Sequence, residues 1–268
     1  MHKFLTRKFF LVLGISSLVL FSYKVDAASF AGRDALGEQL LDAAKNNDVT
    51  LARNLLKDGA DVNYEDNQFL SGKKTALILA SCYGHKEIVE MLLNAEGTIV
   101  NAADEDGCTA LMFASRNGHK EVVQTLLNVR GINVNAADKH GSTVLMIASY
   151  FDHKEVVQTL LNVRGINVNA ANSNGWTALM LASRNGHKEV VQTLLKVEGI
   201  DVSAADKDGW TALIWASHKG HKEVVQMLLK VEGINVNAAI TDGYTALMLA
   251  SLNGHKGVVQ MLFDVEGI

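Results

Sequence analysis

The chain has 268 residues, 48% of them apolar and 20% charged, with 25 Lys and Arg against 29 Asp and Glu. These are the proportions of an ordinary globular chain. The acidic excess withholds the basic footprint that a nucleic-acid binder needs.

Residues 1–27 stand apart from the rest of the chain. His2, Lys3, Arg7 and Lys8 make a positive start, Phe9 to Phe21 is an apolar run of 13 residues, and Val25-Asp26-Ala27 offers a small-residue cleavage site. That order describes a secretory signal peptide. The run is short for a membrane span, which needs about 20 residues, although retention as an anchor is the alternative. No cysteine lies near the cleavage point, which argues against a lipoprotein signal. Removal would leave 21 basic against 28 acidic residues, a net charge of −7.

Ser29 to Arg33 reads as a short leader. Ala35 to Asn63 then carries a helical pattern in which Leu40, Leu41, Ala43, Ala44, Leu51, Leu55 and Leu56 are the expected buried set. Glu38 and Asp42 would face outward, as on a polar terminal cap. Tyr64 to Lys74 forms an enlarged loop with two apolar residues, Phe69 and Leu70. It is either a partner-holding loop or a tolerated insertion.

From there the chain repeats. A threonine recurs at 75, 109, 143, 177, 211 and 245, a spacing of 34 residues. The stretch Asp206 to Asn237 shows the physics of one unit. Asp206-Lys207-Asp208-Gly209 is a turn, and the Thr211 hydroxyl can cap a short helix. Ala212, Leu213, Ala216 and Ser217 give that helix a face of small and apolar residues. Gly220 stops it in a left-handed conformation and His221 turns the chain. A second helix follows from about Lys222, with Val224, Val225, Leu228 and Leu229 at helical spacing and Gly233 expected to end it. Helices of two or three turns are marginal alone in water. Neighbouring units must therefore cover one another.

The phrases DKDGWTALIWASHKGHKEVVQMLL from Asp206 and DEDGCTALMFASRNGHKEVVQTLL from Asp104 resemble the ankyrin repeat. The resemblance covers roughly residues 34 to 268. The tetratricopeptide repeat has the same period, but its Trp, Tyr and Pro signature is missing. The resemblance implies an all-α solenoid of about seven stacked helix-turn-helix units with short hairpin loops. Their bounds fall near 34–69, 70–103, 104–137, 138–171, 172–205, 206–239 and 240–268, within a domain of residues 28–268. The chain departs from the family pattern in lacking proline and in placing Ile78, Met112, Met146, Met180, Ile214 and Met248 where a histidine is usual. One extra residue precedes Ile132, Ile166, Ile200 and Ile234, so a bulged loop is expected there. Asp152 replaces a turn glycine and should strain its turn. The last unit has no polar cap, and Val258, Val259, Met261, Leu262 and Phe263 are expected to fray, self-associate or dock.

The histidines at 85, 119, 153, 187, 221 and 255 recur too far apart to share a metal, and the family gives them a structural role in tying the turn between helices. No catalytic, phosphate-binding or CxxC motif stands in a usable context, so neither an enzyme, a cofactor nor a small-molecule substrate is expected. Cys82 and Cys108 are expected to be free thiols.

What varies between units is the surface the framework leaves free. The residue before the threonine is Cys108, Ser142, Trp176, Trp210 or Tyr244, and the pair before the turn to the second helix includes Tyr83, Arg116, Tyr150, Phe151, Arg184, His218 and Lys219. Trp, Tyr and Arg dominate binding hot spots. The resemblance places partner contacts at hairpin tips and first-helix ends, so Trp176, Trp210 and Tyr244 should line one edge beside Arg184 and His218. The competing reading has each ring cover its neighbour's hairpin. Trp215 sits where core residues are usual and is assigned to packing. The expected function is a non-catalytic scaffold binding a protein partner after export, periplasmic or secreted. It would act as a periplasmic accessory protein or as a secreted effector, and would meet a membrane only through its N-terminal segment.

Overall fold

A computed structural model describes residues 35–65 and 72–265. The segment read as a signal peptide and the Phe69-Leu70 stretch of the enlarged loop lie outside the described residues. The described residues form short helices in seven pairs: α1 (35–46) with α2 (Val49–Lys57), α3 (Ala76–Tyr83) with α4 (Lys86–Leu93), α5 (Ala110–Arg116) with α6 (Lys120–Leu127), α7 (Val144–Tyr150) with α8 (Lys154–Leu161), α9 (Ala178–Asn185) with α10 (Lys188–Leu194), α11 (Ala212–Lys219) with α12 (Lys222–Leu228), and α13 (Ala246–Leu252) with α14 (Lys256–Phe263). First helices α3 to α13 pack side by side, second helices α2 to α14 form a parallel row behind them, and one continuous core runs between. The 34-residue period is thus an all-helical solenoid.

Each first helix begins at its threonine. The Thr75 hydroxyl accepts from the Ile78 amide at 3.3 Å, and Thr109, Thr143, Thr177, Thr211 and Thr245 do the same for the residue three places on. A cap of this kind contributes about 1 kcal/mol. In α11, Ala212, Leu213, Ile214, Ala216 and Ser217 are all buried, and in α12 Val224, Val225 and Leu228 are. Burial of each large apolar side chain gives about 1.5–3 kcal/mol. The second helix ends at Leu228 rather than at Gly233, which instead reverses the chain five residues later with a φ of 79°. The extra residue of the later units does not bulge the loop. It enters a closed turn, in which the Ile132 amide donates to the Val129 carbonyl at 3.3 Å.

The recurring Gly-His pair ties units together rather than tying the turn within one. His119 Nε2 lies 3.0 Å from the Cys82 carbonyl of the unit before, and His153, His187, His221 and His255 bond Arg116, Tyr150, Arg184 and His218 in the same way. The imidazole also rests on the preceding unit's glycine. A Cβ on Gly84 would stand 2.7 Å from His119 Nδ1. Glycine is therefore needed twice, for a φ of 77° and for room. Asp152 breaks the rule and adopts a φ of 62°, with its carboxylate 3.7 Å from His187 Nδ1. A left-handed backbone at a residue with a Cβ is strained.

Two further stitches run along the stack. Each hairpin tip accepts a backbone bond from the next, as Asp106 does from the Lys139 amide at 2.8 Å. Behind them, the asparagine that closes each exit loop clamps the next loop. Asn135 Nδ2 donates to the Gly165 carbonyl at 2.8 Å while its Oδ1 accepts from the Asn167 amide at 2.9 Å. Asn63, Asn101 and Asn169 repeat the pattern. At the corresponding position stands Ser203, whose side chain is too short to span the gap.

At the N-terminal end Glu38 and Asp42 face water, as a polar cap requires, but Leu51 is 37% exposed and Ala52 takes its place inside. At the other end Met248 is 53% and Leu252 75% exposed, whereas Met112, Met146 and Met180 are buried under a following unit.

Ser203→Asn restores both clamp bonds and should raise unfolding stability by about 1 kcal/mol, read as a higher urea midpoint. Asn135→Ala should lower it by a similar amount. Ser149 is fully buried and its hydroxyl has no partner. Ser149→Ala should therefore hold or raise stability by up to about 1 kcal/mol, and a loss above that in the same titration would reveal a hydrogen bond the geometry lacks.

Candidate protein-binding groove

First helices α3 to α11 bury the residues one, two, three, five and six places after their threonine. Those four, seven and eight places after it are left on one face, because residues three and four apart share a helix side. The hairpin residue before each threonine overhangs that face. The result is a groove running across the units, with first-helix ends along one wall and hairpins along the other.

In units five and six the groove is occupied by tryptophans. Trp210 stacks on Trp215 with ring centroids 4.0 Å apart, and Trp176 leans on the same ring at 4.9 Å. His218 meets Trp210 edge-on at 5.3 Å. The Arg184 guanidinium lies 5.2 Å from both the Trp176 and Trp215 rings, within cation–π range. Burial, with Lys219, His255 and Arg184 nearby, lowers the His218 pKa, so this imidazole is neutral at pH 7. Trp215 is half-buried and sits at the centre of the cluster, not in the core. Its position, four after the threonine, faces the groove.

The expected row is thus assembled only in part. Trp176 and Trp210 are brought together through Trp215, with Arg184 and His218 beside them. Both outer rings cover a neighbour and both stay half-exposed. Tyr244 stands apart, 45% exposed, and no ring contact joins it to the tryptophans among the described residues. Lys219 is exposed at the helix end. Tyr83 is exposed and stacks on His85 of its own unit at 5.9 Å.

Units three to five hold an open groove of about 250 Å³ floored by Phe113, Ile147 and Leu181, the counterparts of Trp215. Tyr150 and Phe151 meet edge to face at 4.9 Å on its rim, and Arg116 lies over the Phe151 ring at 5.4 Å. From the hairpin side, Lys74 lies over the Phe113 ring at 5.4 Å. The floor escaped the sequence reading because every one of these residues is apolar, which suggests core. The signal was the spacing: four after the threonine lies one turn from eight and three from seven, both of which face outward.

The hairpin wall is acidic but internally satisfied. Asp138 Oδ1 accepts from the His140 and Ser142 amides, each at 2.8 Å, and Asp104 and Asp206 fold their own turns in the same way. At the tip Asp106 pairs with Lys139, whose hydrogen bond holds the carboxyl below its usual pKa. Cys108 also lines the groove. Burial, with Asp104, Asp138 and Asp106 around it, pushes the thiol up to about 11. Cys82 and Cys108 remain separate thiols.

A larger cleft of about 750 Å³ opens behind the first two units, between Arg53, Lys57, Met91 and Asn94. Ala60 stands there where later units carry the half-buried Ile132, Ile166, Ile200 and Ile234. None of the expected site residues lines it. Among the described residues no group of His, Cys, Asp or Glu is placed to hold a metal, and no helix is long and apolar enough to cross a membrane.

The family model for ankyrin repeats matches residues 40–138, 130–206 and 197–268. The chain belongs to the ankyrin-repeat family, whose repeats are generally protein–protein interaction modules and typically non-catalytic scaffolds. No curated protein matches the chain.

With a pKa of about 11 the Cys108 thiol stays protonated at neutral pH, and only the thiolate reacts. Its alkylation by iodoacetamide, followed by peptide mass spectrometry, should be slow at pH 7.5 and climb about tenfold per pH unit until near pH 11. A plateau below pH 9 would contradict the burial argument.

Proposed function

We propose that this chain is a non-catalytic scaffold that captures a protein partner on the groove face, acting after export. The observation that carries the reading is a separation of roles. Framework positions are nearly invariant from unit to unit, while the positions that change gather aromatic and cationic side chains on one face. Trp176 and Trp210 with Arg184, His218 and Lys219 form one proposed contact area. Arg116, Tyr150 and Phe151 form a second, with Tyr83 and Tyr244 flanking them on units two and seven. Rings already packed on one another lose little entropy on binding, which favours affinity.

The export component rests on the signal-like order of residues 1–27. A free thiol pair is unusual for an exported chain, and the burial of Cys108 gives it protection from oxidation. Fusion of the first 27 residues to a reporter active only outside the cytoplasm tests export separately from binding. Two settings fit an exported scaffold: support of an envelope enzyme or assembly, and engagement of a host protein by a secreted effector. Affinity purification of the processed chain discriminates them by the identity of what is held.

The double replacement Trp176→Ala with Trp210→Ala should abolish partner capture and leave the helical circular dichroism unchanged. If the helical signal collapses with capture, the rings belong to packing rather than to recognition.

A further inference from the structure

Resting on that reading, we infer that the groove across units three to five receives an extended acidic segment of the partner, anchored by one apolar side chain. The floor of Phe113, Ile147 and Leu181 under Tyr150 and Phe151 offers an opening of about 250 Å³, of a size for a single large apolar side chain rather than a folded surface.

Charge decides what flanks that anchor. Across the two positions before each helix-to-helix turn, from Cys82-Tyr83 to Leu252-Asn253, the chain places Arg116, Arg184 and Lys219 and not one carboxylate. This wall is cationic on a protein that is acidic as a whole. The facing hairpin carboxylates Asp104, Asp138 and Asp206 already accept two amides each, so they make no comparable demand for a cationic ligand. Arg184 is the focus. Its Nε is shielded and has no hydrogen-bond partner, and its guanidinium lies 5.2 Å from the centroids of both the Trp176 and Trp215 rings. The described residues provide it with no carboxylate. A planar guanidinium set beside two rings and lacking an anion suits a carboxylate fork.

Spacing adds a register. Packed helices lie about 8–10 Å apart, and an extended chain advances about 3.3 Å per residue. Ile147 on the groove floor lies on α7, the helix packed beside the α9 helix that carries Arg184, so the apolar anchor and the acidic residue of the ligand should lie about three residues apart. A basic ligand is disfavoured by Arg116 and Arg184, and a nucleic acid by the acidic hairpins.

The test pans a displayed library of random short peptides over the full processed chain. Enriched sequences should share a large apolar residue and an Asp or Glu at that spacing. A fluorescein-labelled enriched peptide, followed by anisotropy, should bind about thirtyfold or more weakly to Arg184→Ala and to Ile147→Glu. It should also weaken as NaCl rises from about 50 to about 500 mM. Changing the acidic residue to Lys in the peptide gives the same loss without touching the protein, which covers a variant that misfolds. Enriched peptides that are basic or indifferent to charge, that ignore both variants, or that never emerge overturn the inference. A partner lost with the Trp176 and Trp210 replacements yet held by Arg184→Ala and Ile147→Glu would refute this inference and leave the scaffold reading standing.

Discussion

Among the described residues no helix is long enough to keep its own shape in water, and none carries enough apolar surface to form a core within its unit. Everything else depends on that shortage. Seven or eight residues give two turns, and an isolated helix of that length does not persist. The face of α11 that would be wet in a single unit is dry because α9 lies on one side and α13 on the other. Stability therefore grows along the row, one joint at a time.

Each joint is made by groups that act across units. The imidazole of one unit sits on the glycine of the one before, the hairpin tips exchange a backbone bond, and an asparagine clamps consecutive exit loops. Because these devices repeat, their exceptions are informative. Asp152 keeps the left-handed turn without a glycine, with its carboxylate 3.7 Å from His187 Nδ1. Ser203 leaves one joint without its clamp. Ala60, smaller than the isoleucine of later units, opens a cleft behind the first joint.

The groove is a consequence of the same geometry. A helix that buries five of its first six residues has only one direction left for the rest. In α3 to α11 the side chains at the fourth, seventh and eighth places after the threonine share that face with the hairpins. Their chemistry is free to differ because no joint depends on it. Three tryptophans and Arg184 fill one part, and Phe113, Ile147, Leu181, Tyr150 and Phe151 shape another.

The period of 34, the threonine caps and the glycine stops were legible from the residues alone, because each is a local rule about one backbone or one side chain. The separation of constant from variable positions was equally legible, since the units serve as their own comparison. What the tertiary structure decided is which residues from different units meet. Trp215 reads as core by its apolar character, and only the packing of α11 beside α9 brings it between Trp176 and Trp210. The histidines read as turn residues, yet their partners are carbonyls 37 positions earlier in the chain. Asn135 carries no local signal at all, because both groups it clamps belong to the next unit. A sequence fixes contacts between near neighbours directly. Contacts across a stack follow from the rotation and spacing of whole units, which no single stretch of residues encodes.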